Sequence, residues 1–300
     1  MSPRFPILSL SPPIIEQILE QCDYMDLFAF AQLSNRTFSL VQSMPKATAN
    51  ASVTISATSY VGIHFDGGVQ LKWYFYGTRD SRRYELENGE KVVVKMDTAK
   101  TSGEPAELVF ARTSSNSYGC CSNSIESIIH FIQYLGSLFQ VSSHQLCLYP
   151  SELHHLSAIQ SVDALKKSTL VVVREGAVSD EEMRRILEGF ETLRLLIFCS
   201  PEPNFTYSNR TISIRSFGVI YGSWFKGPML SNLVNCKRVD LNSDGITEEH
   251  LNVYLREWLN NTRGIVDRLC VYPKRLEFEE VYDGMLTRNW DLDKISYGLS

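Results

Sequence analysis

Leu10-Ser11-Pro12-Pro13-Ile14-Ile15-Glu16-Gln17-Ile18-Leu19 decides how the amino-terminal part of the chain folds. Proline fixes φ near the helical value and has no N–H to lose, so Pro12-Pro13 suits a first helical turn. After them Ile14, Ile15, Ile18, Leu19 and Cys22 recur at helical spacing and form an apolar stripe. Asp23, with Asp26 three places on, reads as a second helix start, followed by Leu27, Phe28, Phe30, Ala31 and Leu33. Ser34 is placed to cap a third short helix holding Thr37, Phe38, Leu40 and Val41. Residues 1–45 thus carry two dense apolar stripes on short helices. A segment of this size has too little volume to cover both and needs something to pack on. The residues leave two readings open: docking onto the rest of the chain, or binding another protein in a helix-in-groove mode.

Downstream the period changes to two. Residues 51–65 alternate Val53, Ile55 and Ala57, then Val61, Ile63 and Phe65. Asp66-Gly67 is a hairpin signal, with residues 69–76 as the return strand. Residues 84–87, Asn88-Gly89 and 91–96 read as a second hairpin, and 107–112 as a last strand. The stretch 113–124 is rich in Ser, Asn and Gly and reads as a loop. The expectation for 46–124 is an antiparallel β meander ending in that loop.

From 125 a repeat emerges. Ile125, Ile128, Ile129, Ile132, Leu135, Leu138 and Phe139 share one helical face. Short apolar runs then recur at 146–149, 170–174, 193–199, 211–214, 238–241 and 269–272, with helical patterns between them. Ser179-Asp180-Glu181-Glu182 and Thr247-Glu248-Glu249 open two of those helices. A strand and a helix every twenty-odd residues is the period of a leucine-rich-repeat solenoid. The fold expected is α+β overall: an amino-terminal short-helix module, the meander, then a leucine-rich-repeat-like curved α/β solenoid with parallel strands over 125–300.

Composition narrows the function. Of 300 residues 44% are hydrophobic and 21% charged, enough for a sizeable core. The net charge is −5 and no basic block of five or more occurs, which disfavours nucleic acid as a partner. No run of 18 apolar residues occurs, so no membrane span is expected, and the prolines and glutamates of residues 1–20 leave no signal-peptide core. Seven cysteines without a C-x-x-C, several inside apolar runs, look like buried reduced thiols of a cytoplasmic or nuclear protein. Phosphate-loop, dinucleotide, nucleophile-elbow and H-E-x-x-H motifs are absent. His154-His155 are neighbours and so a poor joint metal site on a helix. No enzyme activity, cofactor or metal is expected.

The order of these features resembles an F-box. The run from Leu10 to Leu19, then Met25-Asp26-Leu27-Phe28, then Leu33-Ser34-Asn35-Arg36 follows the family pattern, with Ser11 in the usual proline's place and Thr37 where many relatives have Trp. A second stretch, Trp224-Phe225, Leu230, Leu233, Cys236-Lys237-Arg238-Val239-Asp240-Leu241 and Leu251-Asn252, Leu255 and Trp258, resembles the type 2 F-box-associated domain. The resemblance implies a substrate-recognition adaptor of a cullin-RING (SCF-type) ubiquitin ligase. A Skp-type adaptor, and through it a cullin, would bind residues 1–45, and 125–300 would hold a protein substrate. The adaptor-binding residues expected are Leu10, Pro12, Ile14, Ile18, Leu19, Asp26, Leu27, Phe30 and Leu33. Aromatics are favoured at recognition surfaces, so Phe205, Tyr207, Tyr221 and Phe225, outside any clear helix or strand pattern, are the substrate-binding candidates. The rival is a non-catalytic interaction scaffold without a ligase role.

Overall fold

The computed structural model describes residues 7–45, 47–65, 70–76, 91–95, 107–112, 117–122, 125–207, 211–212, 214–260, 267–272 and 277–285. The chain divides into two compact units, Met1–Arg174 with Gly189–Thr192, and Glu175–Glu188 with Leu193–Ser300.

In the first unit a 3-10 turn at Ile7–Ser9 precedes α1 (Pro12–Glu20), α2 (Tyr24–Ala31) and α3 (Asn35–Ser43). Each begins where its start signal stands. Ser11 is extended and the two prolines fill the first turn of α1. The Asp26 N–H donates to the Asp23 carboxylate at 2.8 Å. At α3 the Thr37 N–H donates to Ser34 Oγ and the Ser34 N–H donates to Thr37 Oγ1, a capping box that satisfies two donors a helix start leaves orphaned.

The strands β1 (Thr48–Ile55), β2 (Ser59–Phe65) and β3 (Gln70–Tyr76) are antiparallel, Val53 facing Val61 and Val61 facing Trp73. The apolar run at 51–65 is therefore two strands. Between them the Thr58 N–H donates to Ser56 Oγ, and the Ser59 hydroxyl donates to the Ser56 carbonyl. β4 (Lys91–Lys95), β5 (Glu107–Arg112) and β6 (Ser117–Ser122) follow.

Here the meander expectation needs correcting. β6 lies beside β3 and runs parallel to it, then pairs antiparallel with β5, and β5 with β4. Two antiparallel triplets thus meet at a parallel seam. The strand at that seam is the stretch read as a Ser- and Gly-rich loop; ladder partners on both sides outweigh its weak β propensity. The hairpin partner of β4 is β5, while residues 66–69 and 84–89 lie outside the described residues.

Next come α4 (Ile125–Leu138) and β7 (Gln140–Leu148), which runs parallel to β1. A 3-10 helix (Pro150–His155), α5 (Leu156–Gln160) and α6 (Asp163–Lys166) lead to β8 (Leu170–Val173), parallel to β7. The strand order in this unit is β8-β7-β1-β2-β3-β6-β5-β4. α4 buries Ile128, Phe131 and Leu135, and the Phe131 ring meets Trp73 at 5.1 Å and Phe75 at 5.6 Å. That aromatic cluster is the centre of the core.

The second unit holds α7 (Asp180–Gly189, except its last residue), β9 (Arg194–Ile197), β10 (Ser216–Val219), a 3-10 helix (Gly227–Leu233), β11 (Arg238–Leu241), α8 (Glu248–Asn260), β12 (Arg268–Val271) and α9 (Phe278–Val281). β9 to β12 are all parallel, with Arg194, Ser216, Arg238 and Arg268 in register. Strands starting at 170, 194, 216, 238 and 268 are 24, 22, 22 and 30 residues apart. The fourth strand stands at 216–219 and not at 211–214. Ile212 and Ile214 are buried, but the Ile212 N–H donates to the Asn232 carbonyl, away from the ladder. Gly218 disguised the true strand, since glycine weakens strand patterns. A Cβ there would come within 2.7 Å of Leu196 Cδ2, which leans across from β9. The fold is mixed α/β, with amino-terminal helices followed by strands.

Candidate functional site

The inner side of α1–α3 is docked onto the first unit's own sheet and α4. The Tyr24 ring stacks on Phe65 at 3.8 Å between centroids and 14° between planes. Phe28 sits among Trp73 (5.1 Å), Tyr134 (5.9 Å) and Phe131 (6.1 Å). Gln32 Nε2 donates to the Tyr134 hydroxyl, and Phe38 packs 5.4 Å from the same ring. Burial pushes the Tyr134 phenol well above its ordinary range, so it stays protonated. Ile15, Leu19, Met25, Phe28, Ala31, Thr37 and Val41 complete this buried side. The docking reading is therefore realised, for one face.

The other face is open. Leu33 is 73% exposed and Ile14 47%. Pro12 and Asp26 are exposed, and Leu10, Ile18, Leu27 and Phe30 are half-buried. Ile14 and Ile18 share a face four residues apart, as Leu27 and Phe30 do three apart. Of the nine residues expected at this surface, Leu19 is the correction: it is buried beside Ile15, one helical step round from Ile18. Covering the exposed parts of Ile14 and Leu33 would contribute roughly 1 kcal/mol each by area.

The aromatic candidates of the second unit divide differently. Phe205, Tyr207 and Phe225 are buried, and only Tyr221, 58% exposed, offers a surface. Phe205 packs against Trp224 at 5.6 Å, Trp224 against Phe225 at 5.7 Å, and Phe225 against Phe217 at 6.1 Å. These rings fill space between strand and helix, so three of the four expected substrate contacts are core. A signal was present in the sequence: exposed Thr206 between Phe205 and Tyr207 is the period-two pattern of a segment with one buried side.

Side chains suited to chemistry are few. Cys22, Cys147, Cys199, Cys236 and Cys270 are free thiols. Burial pushes Cys199 up to about 12 and Cys236 up to about 11, so both are protonated and inert near neutrality. Among the described residues, Glu152, His154 and His155 form the group able to hold a metal, with ligand atoms within 4.8 Å of one another. The imidazole centroids are 3.9 Å apart at the end of a 3-10 helix. His154 Nδ1 lies 3.0 Å from the Ser151 carbonyl.

The open helical face coincides with a match to a known family: the F-box domain model covers residues 7–47. An F-box domain is found at the amino terminus. At the level of that family, such a domain implies a substrate-adaptor role in SCF-type ubiquitin ligases and a Skp-type partner, in proteins that are typically non-catalytic. Over 294 residues the chain is 23% identical to the Skn-1 dependent zygotic transcript 15 protein of Caenorhabditis elegans, an alignment covering 94% of this chain and 84% of that protein. No solved structure matches. Among the described residues no helix is long and apolar enough to cross a membrane.

Proposed function

We propose that the chain is the substrate-recognition subunit of a cullin-RING ubiquitin ligase of the SCF type. Residues 1–45 bind a Skp-type adaptor, which links the chain to a cullin. The segment 46–124, together with α4, is the platform for those helices, and 125–300 holds a protein substrate as a type 2 F-box-associated domain built of leucine-rich-repeat-like α/β units. The setting is the cytoplasm or nucleus, and the chain itself makes and breaks no bonds. Tethering raises the effective concentration of substrate near the transferred ubiquitin.

The observation that carries this reading is the two-sidedness of α1–α3. Their inner face is spent on Phe65, Trp73 and Phe131, yet Ile14 and Leu33 remain outside and Leu10, Ile18, Leu27 and Phe30 are only half-buried. Exposed apolar side chains clustered in one place mark an interaction surface. The in-register strands at 22-residue steps support the repeat reading of the second unit.

Co-purification tests it. The intact chain brings down a Skp-type adaptor and a cullin, and an Ile18→Asp/Leu27→Asp chain that remains folded does not. Equal recovery of the adaptor by the two chains sinks the proposal and favours the scaffold reading, in which the helices serve only to pack on β2, β3 and α4.

A further inference from the structure

The four parallel strands of the second unit have one covered face and one open face. Leu195, Phe217 and Val239 are fully buried on the covered side. The residue before each of them, and before Leu269 of β12, therefore points the other way. Those residues are Arg194, Ser216, Arg238 and Arg268, side by side across the sheet. All three arginines are exposed. With strands about 4.8 Å apart, the row spans roughly 14 Å.

This arrangement is a cost to the fold. Arg238 and Arg268 are direct register partners, and like charges directly opposite one another destabilise a sheet. Arg215 and Lys237, also exposed, stand just before β10 and β11, at the phase of Phe217 and Val239 and so outside the row itself. With Ile214 and Asn235 they line an open depression of 440 Å³ at this end of the strands. Asp240, two positions after Arg238, places a carboxylate in the next row of the same face. Three arginines in one row concentrate positive charge on this face of a chain whose net charge is −5.

The opposite end of the strands is apolar. Phe198 follows β9 and lies 6.3 Å from Tyr221, while Tyr272 follows β12 and is exposed. From Arg194 to Phe198 is four residues along the strand, about 13 Å.

We propose that this open face docks an extended acidic segment of a substrate protein, its oxyanions on the arginine row and an apolar residue about four positions away against Phe198, Tyr221 and Tyr272. The inference rests on the substrate-holding role proposed above for residues 125–300. The net negative charge of the chain, and Asp240 within the face, oppose a long polyanion such as nucleic acid. A protein segment that is anionic over a short stretch needs only the arginine row and meets less of this opposing charge. Carboxylates and phosphorylated serines present the same oxyanion chemistry to guanidinium groups.

The test is fluorescence anisotropy with the full chain co-purified with its Skp-type adaptor. Three labelled peptides share one sequence, with a leucine four positions after an acidic cluster made of glutamate, of phosphoserine, or of neutral glutamine. The glutamate or the phosphoserine peptide binds about tenfold tighter than the glutamine peptide, and whichever binds identifies the anion. Arg238→Glu/Arg268→Glu removes that preference while adaptor recovery stays at the wild-type level, which separates this site from the F-box reading. Arg238→Gln/Arg268→Gln, milder for folding, weakens binding in the same direction. Equal binding of all three peptides overturns the proposal. So does an unchanged preference in the two arginine variants, or a single-stranded RNA of equal charge that binds tighter than either anionic peptide.

Discussion

The amino-terminal helices and the second unit treat large apolar side chains in opposite ways. Along α1–α3, Ile14 and Leu33 stand in solvent and Leu10, Ile18, Leu27 and Phe30 are half-buried. In the second unit Phe205, Phe217, Trp224 and Phe225 all reach the core, and the open sheet face carries arginines. Apolar content is high in both regions, so content does not decide exposure. A helix projects side chains all around its axis but meets the platform along one side only. A parallel strand has two faces, and the helix that connects it to the next strand covers one of them. Short helices with apolar residues on two sides therefore keep an unfilled demand for contact, whereas the strand–helix unit closes its own.

The largest effects should come from the docked side of the helices. Phe28→Ala opens a cavity against Trp73, Phe131 and Tyr134 and should destabilise the first unit by about 3–5 kcal/mol, read from denaturant unfolding. A loss below about 1 kcal/mol would mean that the helices are not seated on the sheet. For the same reason, removing residues 1–45 bares Phe65, Trp73 and Phe131, so point variants are the cleaner probe of the outer face.

Next in size is the alkaline response of the second unit. Burial raises the Cys199 thiol from 9.0 to about 12, so the native state keeps a proton that the unfolded chain releases above about pH 9. Stability is unaffected below that pH and falls between about 9 and 12, by roughly 2–3 kcal/mol at about pH 11 from this group. Cys199→Ala should flatten that part of a pH–stability profile, and an equally steep profile in the variant would contradict the buried placement. A smaller effect belongs to Ser34→Ala, which breaks the capping box of α3 and should cost about 1 kcal/mol in thermal unfolding. Smallest is Tyr221→Ala: its exposed ring should contribute within about 0.5 kcal/mol, while Phe225→Ala nearby should unfold the unit far more readily.

Local chemistry carried much of the fold into the sequence. Pro12-Pro13, Asp23 and Ser34 mark helix starts because each meets a requirement of the first turn without help from distant residues. Period-two alternation likewise exposed β1 to β3, although the serines that divide β1 from β2 passed unnoticed. What stayed hidden depends on partners far along the chain. β6 is a strand because β3 and β5 flank it, and β10 because β9 and β11 flank it, with Leu196 over Gly218. The helical period revealed the apolar stripe of α1, but not that Leu19 turns inward while Ile18 stays at the rim. The buried aromatics at 205–207 are legible from their alternation, although no regular element surrounds them to mark their burial.

The two-sided design of the amino-terminal helices is tested most directly by titrating a purified Skp-type adaptor into three forms of the chain: wild type, Ile14→Asp/Leu33→Asp, and Tyr221→Asp. The double variant should lose affinity about tenfold or more while its unfolding temperature stays at the wild-type value, and Tyr221→Asp should bind as wild type does. Wild-type affinity in the Ile14→Asp/Leu33→Asp chain would contradict the account.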